Sequence, residues 1–289
     1  MPNGIIIIDK PADWTSMDVC AKLRGILKEK RIGHGGTLDP MATGVLPVFV
    51  GSATRGVEFA EKGDKEYIAG LRLGMVTNTQ DTTGEILQQQ QDDLPAEEAL
   101  RDILPRFTGP IAQIPPMFSA IKRDGKKLYE LARAGKEVHR EPRQITIYEL
   151  EVLEKLSEQD YLLRVRCSKG TYVRTLCHDI GEALGCGGCM SSLRRTMAAG
   201  FTLEQAVTLE DVQQQRDALL LPTESLFSHY PVYTLSSSRQ EHLCRNGNPV
   251  PARNLSPGTY RVRSQSGEFL ALSRGEDGRL LSIKNFFGQ

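Results

Sequence analysis

The first strong hydrophobic signal is Ile5 through Ile8, four isoleucines in a row closed by Asp9 and Lys10. A short unbroken apolar run predicts a strand covered on both faces, so residues 4–9 read as a buried strand. Ser16 stands where a helix cap belongs, and Met17, Cys20, Leu23 and Leu27 then fall on one helical face. Residues 45–50 read as a second strand, which Pro47 demotes toward an edge or a bulge. Residues 67–73 alternate like a third strand. Gln88 through Gln91, among acidic neighbours, reads as an exposed loop, and Pro95 opens a short helix that runs to Leu104. Residues 161–167 predict a strand with Arg164 and Arg166 on one face. Ser168-Lys169-Gly170 then turns the chain into a helix from about Thr171 to Leu184, closed by Gly185. Tyr172 and Arg174 therefore belong to a helix N-terminus.

After Leu220 the pattern changes. From about Tyr230 onward there are only short β-like runs, broken at Asn246-Gly247, Pro257-Gly258, Ser266-Gly267 and Asp277-Gly278. They predict a small β-rich unit of about 60 residues. Two domains, 1–228 and 229–289, fit the 289 residues, and 39% hydrophobic with 25% charged residues leaves enough apolar material for full cores.

Net charge is zero, from 36 basic and 36 acidic residues, which on its own argues against a nucleic-acid partner. The distribution argues the other way. Lys22 to Arg31 holds five basic residues and one acid, and Lys122 to Arg143 holds eight and four, a net +4 in each. Arg164 to Arg195 holds six and two, again net +4, while Asp81 to Asp102 holds seven acids and one arginine, net −6. Segregated positive faces suit a polyanion, although solvated helix faces give the same counts. Residues 114–143 concentrate the effect. Pro115-Pro116 leads into Lys122, Arg123, Lys126, Lys127, Arg133, Lys136 and Arg140, with Phe118 and Tyr129 interleaved. That is the composition of a basic hairpin or helical finger inserted at the surface.

The isoleucine run is too short for a signal peptide, and no apolar run approaches the ~20 residues that a membrane helix needs. Six cysteines without an export signal predict free thiols in the cytoplasm. Cys186 and Cys189 have CxxC spacing with Cys177 and His178 nearby, but the second pair of a zinc site is missing, so no metal is expected.

The candidate chemistry lies in Gly33-His34-Gly35-Gly36-Thr37-Leu38-Asp39-Pro40. Between Lys30 and Ala60 the only carboxylates are Asp39 and Glu58. The glycines admit close approach, and Pro40 biases Asp39 away from helical dihedrals. A lone carboxylate suits a nucleophile or a base; hard-metal binding needs several oxygens. Its loop offers Arg31 and His34, and Arg174 could converge on it from another motif. A guanidinium neighbour favours the charged form of a carboxylate, which suits a nucleophile better than a general acid.

The stretch from Gly33 to Pro47 resembles the catalytic motif of the TruB family of pseudouridine synthases. Asp9-Lys10-Pro11 with Ser16, Lys65-Glu66-Tyr67, the run Cys167 to Arg174, and Leu193-Arg194-Arg195 match four further motifs in family order. The resemblance implies an α+β catalytic domain with a mixed, largely antiparallel sheet and flanking helices, followed by a small PUA-like RNA-binding domain. It implies isomerisation of a uridine in the T-arm of tRNA, expected at position 55, to pseudouridine without metal or cofactor. Asp39 would be the nucleophile. Tyr67 would stack on the target base and take the C5 proton, and Arg174 would pair with Asp39. His34 would contact RNA where the uridine is extruded, Tyr172 and Leu193 would shape the uracil pocket, and Lys10 would brace the Asp39 loop. The 114–143 segment sits where the family carries an insertion that pinches the RNA stem-loop, with Lys126, Lys127 and Lys136 on the phosphates. The implied protein is a monomer that needs no protein partner. The alternatives are a non-catalytic RNA-folding module, which would not need Asp39, Tyr67 and Arg174 together, and a guide-RNA-dependent synthase, which would lack a substantial insertion. A nucleoside glycosidase would not need the basic segments.

Overall fold

A computed structural model describes residues 2–123, 125–252 and 255–287, with backbone only for Lys122 and Arg123. The contributions of Lys122, Arg123 and Asp124 to the basic segment, and the last two residues of the C-terminal unit, lie outside the described residues.

Strand β1 (Gly4–Lys10) carries the four isoleucines, which alternate between two cores. Ile5 and Ile7 pack with Val45 and Phe49 on one face, and Ile6 and Ile8 with Val19, Leu23, Leu46 and Val48 on the other. Burial on both sides is why the run is unbroken, and each side chain contributes roughly 1.5–3 kcal/mol. Helix α1 (Ser16–Leu27) follows. Its cap is Thr15, not Ser16: the Thr15 hydroxyl accepts the Asp18 amide, and the Asp18 carboxylate accepts the Thr15 amide at 2.9 Å. The Ser16 hydroxyl is buried and accepts the Leu38 amide at 2.9 Å. Met17 is 52% exposed, so the buried face of α1 is Val19, Cys20, Leu23 and Leu27.

Strands β2 (Ile32–His34) and β3 (Thr43–Val50) flank the Asp39 loop. The proline does not place β3 at an edge. β3 pairs with β1 on one side, and on the other with β2 as far as Val48 and with β12 (Gly188–Ala198) at Thr43 and Gly44. Pro47 falls in the gap between those two half-length neighbours, where its missing amide breaks no ladder. Its carbonyl accepts the Gly35 amide at 2.8 Å.

Helix α2 (Val57–Lys62) leads into β4 (Lys65–Leu73). The exposed loop read over Gln88–Gln91 begins only after Gln89: Gln88 and Gln89 end strand β6 (Ile86–Gln89), paired with β5 (Met75–Thr77) in an exposed hairpin. Its four side chains are all exposed, so no buried face marks it in the sequence. Helix α3 (Glu97–Ile103) and strand β7 (Gly109–Gln113) precede the insertion. The insertion is a short hairpin, β8 (Lys122–Arg123) with β9 (Lys126–Lys127), and then helix α4 (Leu128–Arg133). Strands β10 (Arg143–Lys155) and β11 (Asp160–Cys167) and helix α5 (Val173–Ala183) return the chain to β12. Strand β13 (Phe201–Thr202) and helix α6 (Leu209–Gln215) follow. The main sheet runs β1-β3-β12-β4-β11-β10-β7, and β12 with β3 is its parallel pair.

The C-terminal unit is a second sheet ordered β14-β16-β17-β18-β15. Its strands are β14 (Val232–Thr234), β15 (Val250–Pro251), β16 (Gly258–Arg263), β17 (Phe269–Glu276) and β18 (Arg279–Asn285). It also contains helix α7 (Ser238–Arg245), which the turn-rich sequence does not announce. An aromatic cluster of Phe59, Phe227, Phe269 and Phe286 joins it to the main sheet. Glu224 receives both Arg261 and Arg263 across the same junction.

Candidate active site

Asp39 lies on the wall of a cavity of about 710 Å³ at the middle of the main sheet. The loop that carries it is fixed from several directions. Fully buried Lys10 donates to the carbonyls of Pro11, Trp14 and Pro40, the last at 3.1 Å. The Asp13 amide also reaches the Pro40 carbonyl, at 2.9 Å, and the Ala42 amide closes a turn onto the Asp39 carbonyl at 3.0 Å. Gly44 lets β12 approach: a Cβ there would stand 2.2 Å from the Arg195 carbonyl oxygen, and its φ of 100° disfavours other residues. Lys10 thus occupies the bracing position the sequence suggests. Burial pulls its ammonium down to about 8.

Arg174 comes to Asp39 from the first turn of α5. Its Nε meets Asp39 Oδ2 at 2.9 Å and its Nη2 meets Oδ1 at 3.5 Å. Nη1 donates to the Thr79 carbonyl at 3.0 Å, Nη2 to the Phe118 carbonyl at 2.8 Å, and Asp81 Oδ2 stands 3.7 Å from Nη1. A cation at a helix N-terminus is opposed by the helix dipole. Here two carboxylates and two carbonyls hold it. The Arg174 side chain is 7% exposed and that of Asp39 is 36% exposed, so the pair is buried on the arginine side and open on the carboxylate side.

Tyr67 is central in β4, between Val165 of β11 and Arg195 of β12. Burial pushes its phenol up to about 12, against the opposing pull of Arg195. Leu193, two pairs along on β12, and Tyr172, the residue ahead of α5, line the same cavity. Burial raises the Tyr172 phenol too. The Gln113 side chain clamps Tyr172, accepting its amide at 2.8 Å and donating to its carbonyl at 3.1 Å. Asp39, Tyr67, Arg174, Tyr172 and Leu193 thus converge from four separate parts of the chain.

His34 ends β2 and is not among the cavity-lining residues. Its Nδ1 is buried without a partner, and burial together with the Arg195 charge lowers its pKa, so the ring is neutral near pH 7. Arg31 does not line the cavity either. In the insertion, Lys126 and Lys136 are exposed. Lys127 stands 5.4 Å and Arg133 5.5 Å from the Tyr129 ring centroid, and Tyr129 is at the cavity rim. Phe118, Ser119, Ala120 and Ile121 also reach the cavity, so the root of the insertion forms part of its wall. The six cysteines are free and buried, and the described residues hold no cluster of three or more metal-ligating side chains. Sequence reasoning gave no role to Gln113, Asp81, Lys65 or the individual Arg195. All four are buried polar residues, and Gln113, Asp81 and Arg195 each reach a partner far away in sequence.

The sequence profile of the TruB family pseudouridylate synthase N-terminal domain matches residues 24–173, and that of the tRNA pseudouridylate synthase B C-terminal domain matches residues 174–228. Among relatives named tRNA pseudouridine synthase B, that of Stutzerimonas stutzeri is 43% identical over 288 residues, covering 96% of this chain and 93% of its own. That of Francisella philomiragia is 41% identical, covering 99% and 95%. Among solved structures, a Cbf5–Nop10–Gar1 complex is similar with a TM-score of 0.75 at 30% identity, covering 98% of this chain and 85% of the other. An H/ACA ribonucleoprotein bound to a substrate RNA containing 2′-deoxyuridine is similar with a TM-score of 0.75 at 27% identity, covering 99% and 85%.

Proposed function

This chain belongs to the TruB family of pseudouridylate synthases, and from that premise we propose that it isomerises one uridine in the T-loop of tRNA, position 55, to pseudouridine. The observation that carries the proposal is the Asp39 carboxylate, gripped on one side by Arg174 at 2.9 Å and open on the other to a cavity walled by Tyr67, Tyr172 and Leu193. A stacked base cannot enter such a cavity, so the uridine must be flipped out of its loop, at a cost of a few kcal/mol. Stacking on the Tyr67 ring returns ~1–3 kcal/mol. Arg174 aims the carboxylate as nucleophile, the glycosidic bond breaks, and the uracil turns to present C5 to the sugar. C5 then bonds to C1′ as Asp39 is released. The C5 proton leaves through the Tyr67 oxygen, which gives up its own phenolic proton as it takes it, while N1 of the product gains a proton, so the isomerisation balances. The cycle uses no metal and no cofactor.

Exposed Lys126 and Lys136 and half-buried Lys127 of the insertion hold phosphates without reading sequence. The second sheet, in a domain spanning 229–289, adds further RNA contacts. His34 meets the RNA where the target nucleotide leaves its loop. Because the insertion is present and its root forms part of the cavity wall, the protein acts as a monomer without a guide RNA, in the cytoplasm with its substrate. Among the described residues no helix is long and apolar enough to cross a membrane.

The test is incubation of the purified protein with an unmodified tRNA transcript in the presence of EDTA, followed by mapping of pseudouridine. The expected result is one modified position in the T-loop. No pseudouridine, or pseudouridine only elsewhere, would refute the proposal.

A further inference from the structure

Arg195 heads the fully buried side chains by size, at 1% exposed, and no carboxylate lies within ion-pair distance of it among the described residues. Its fork is occupied by carbonyl oxygens. Nε donates to Val45 at 2.7 Å, Nη2 to Gly36 at 3.2 Å and Nη1 to Thr37 at 3.4 Å. Gly36 and Thr37 are the peptide groups that lead into Asp39. Arg195 is also the direct cross-strand neighbour of Tyr67, so the two side chains leave the same face of the sheet, and both line the cavity. Burying a cation with no counter-ion is unfavourable, so such a group persists where its charge or its geometry is used.

We propose that Arg195 is a positioning residue of the isomerisation, one guanidinium that holds the Tyr67 hydroxyl and the peptide groups ahead of Asp39 in a single frame. This rests on the roles assigned above to Asp39 and Tyr67. In this frame the guanidinium donates to the phenol oxygen, which keeps a second lone pair for the departing C5 proton. The positive charge also offsets the burial that makes this phenol resist carrying negative charge. Lys65 stands two residues before Tyr67 in β4 and donates to the carbonyls of Glu61 and Gly63, so a second buried cation backs the same wall. A lysine cannot replace Arg195, because donors to Val45, Gly36 and Thr37 must leave one planar centre in fixed directions.

A mutant cycle read by single-turnover rates at saturating tRNA tests this, with tRNA Kd and melting temperature measured on each variant. Arg195→Gln should slow the rate by ~100-fold or more, within the range of a proton-transfer group, while Kd stays within about threefold. In a Tyr67→Phe background the same change should slow the remaining rate by less than about tenfold, because the hydroxyl it serves is gone. Should Arg195→Gln not fold, Arg195→Lys carries the same cycle. Equal slowing in both backgrounds would overturn the proposal, as would loss of rate and RNA affinity in parallel or a rate within about threefold of wild type. A wild-type protein that makes no pseudouridine would instead overturn the reaction on which the proposal rests.

Discussion

Arg174→Lys separates what the arginine does for the fold from what it does for the reaction. The guanidinium serves Asp39, Asp81, Thr79 and Phe118 at once. A lysine has three donors on one nitrogen and cannot span these positions. On the buried side, one of the two carbonyls is left unpaired, at about 1–3 kcal/mol. Asp81 keeps the hydroxyls of Thr79 and Thr83 and the Thr83 amide, so its charge is not stranded. On the open side, Asp39 is a third exposed, and water replaces most of the lost pairing at about 0–1 kcal/mol. The total is roughly 1–4 kcal/mol, which corresponds to a fall in melting temperature of roughly 2–8 °C. The rate responds differently. Without two parallel hydrogen bonds the carboxylate swings, and a misplacement of about 1 Å costs on the order of 100-fold. The expected variant is folded and binds tRNA near wild-type affinity, but turns over on the order of 100-fold slower in single-turnover assays. A folded Arg174→Lys protein with the wild-type rate would show that Arg174 supports the fold alone.

Asp39→Asn should abolish isomerisation and leave tRNA Kd within about threefold, since phosphate contacts come from other segments; measurable turnover by a pure preparation would remove Asp39 as the nucleophile. Tyr67→Phe should keep RNA binding, because the ring remains, yet lose most of the single-turnover rate; a wild-type rate would reduce Tyr67 to a stacking platform. Neutralising Lys126, Lys127 and Lys136 together should lower the log–log salt slope of binding by about 2–3 and leave the rate at saturating tRNA nearly unchanged; an unaltered slope would mean that the insertion does not touch phosphates. Stability should fall between pH 9 and 11. Cys20, Cys167, Cys189 and Cys244 are each pushed up by burial to about 11, so the unfolded chain releases those protons first. Lys10 and Lys65, pulled down to about 8, act in the opposite sense between pH 8 and 10.5 but are fewer. A melting temperature that rises over that interval, or a Cys20→Ala protein with an unchanged slope, would contradict this assignment.

Four strands of the main sheet, β1, β3, β4 and β11, were legible because each satisfies a local rule, whereas β7, β10 and β12 were not read from the sequence. The isoleucines of β1 meet apolar partners on both faces, and the alternation of residues 67–73 matches one strand of the sheet interior. The misreadings share a cause, which is tertiary context overriding a local preference. Ser16 has the chemistry of a cap but is spent on the Leu38 amide, and Thr15 caps the helix instead. Pro47 would break a continuous ladder, yet β2 ends and β12 begins on either side of it. β6 carries no buried face at all, so a strand held only by backbone pairing with β5 looks like a polar loop.

The site divides the same way. Asp39, Tyr67, Tyr172, Arg174 and Leu193 are recognisable because they sit inside motifs whose order along the chain can be read. The groups that hold them are not. Gln113 clamps the Tyr172 backbone across 59 positions of sequence, and Arg195 reaches Val45, Gly36 and Thr37 across 150 or more. In sequence, Arg194 and Arg195 are one basic pair. Strand alternation then sends Arg194 to a partly exposed ion pair with Asp9 at 2.8 Å and Arg195 into the interior against carbonyls. Which of two adjacent arginines points inward depends on the register of β12 against β4, and a one-residue slip would exchange them. The register is held in part by the close contact of Gly44 with the Arg195 backbone. A side chain at Gly44 would therefore force β12 away, and it would disturb the Asp39 loop and Tyr67 together although it touches neither.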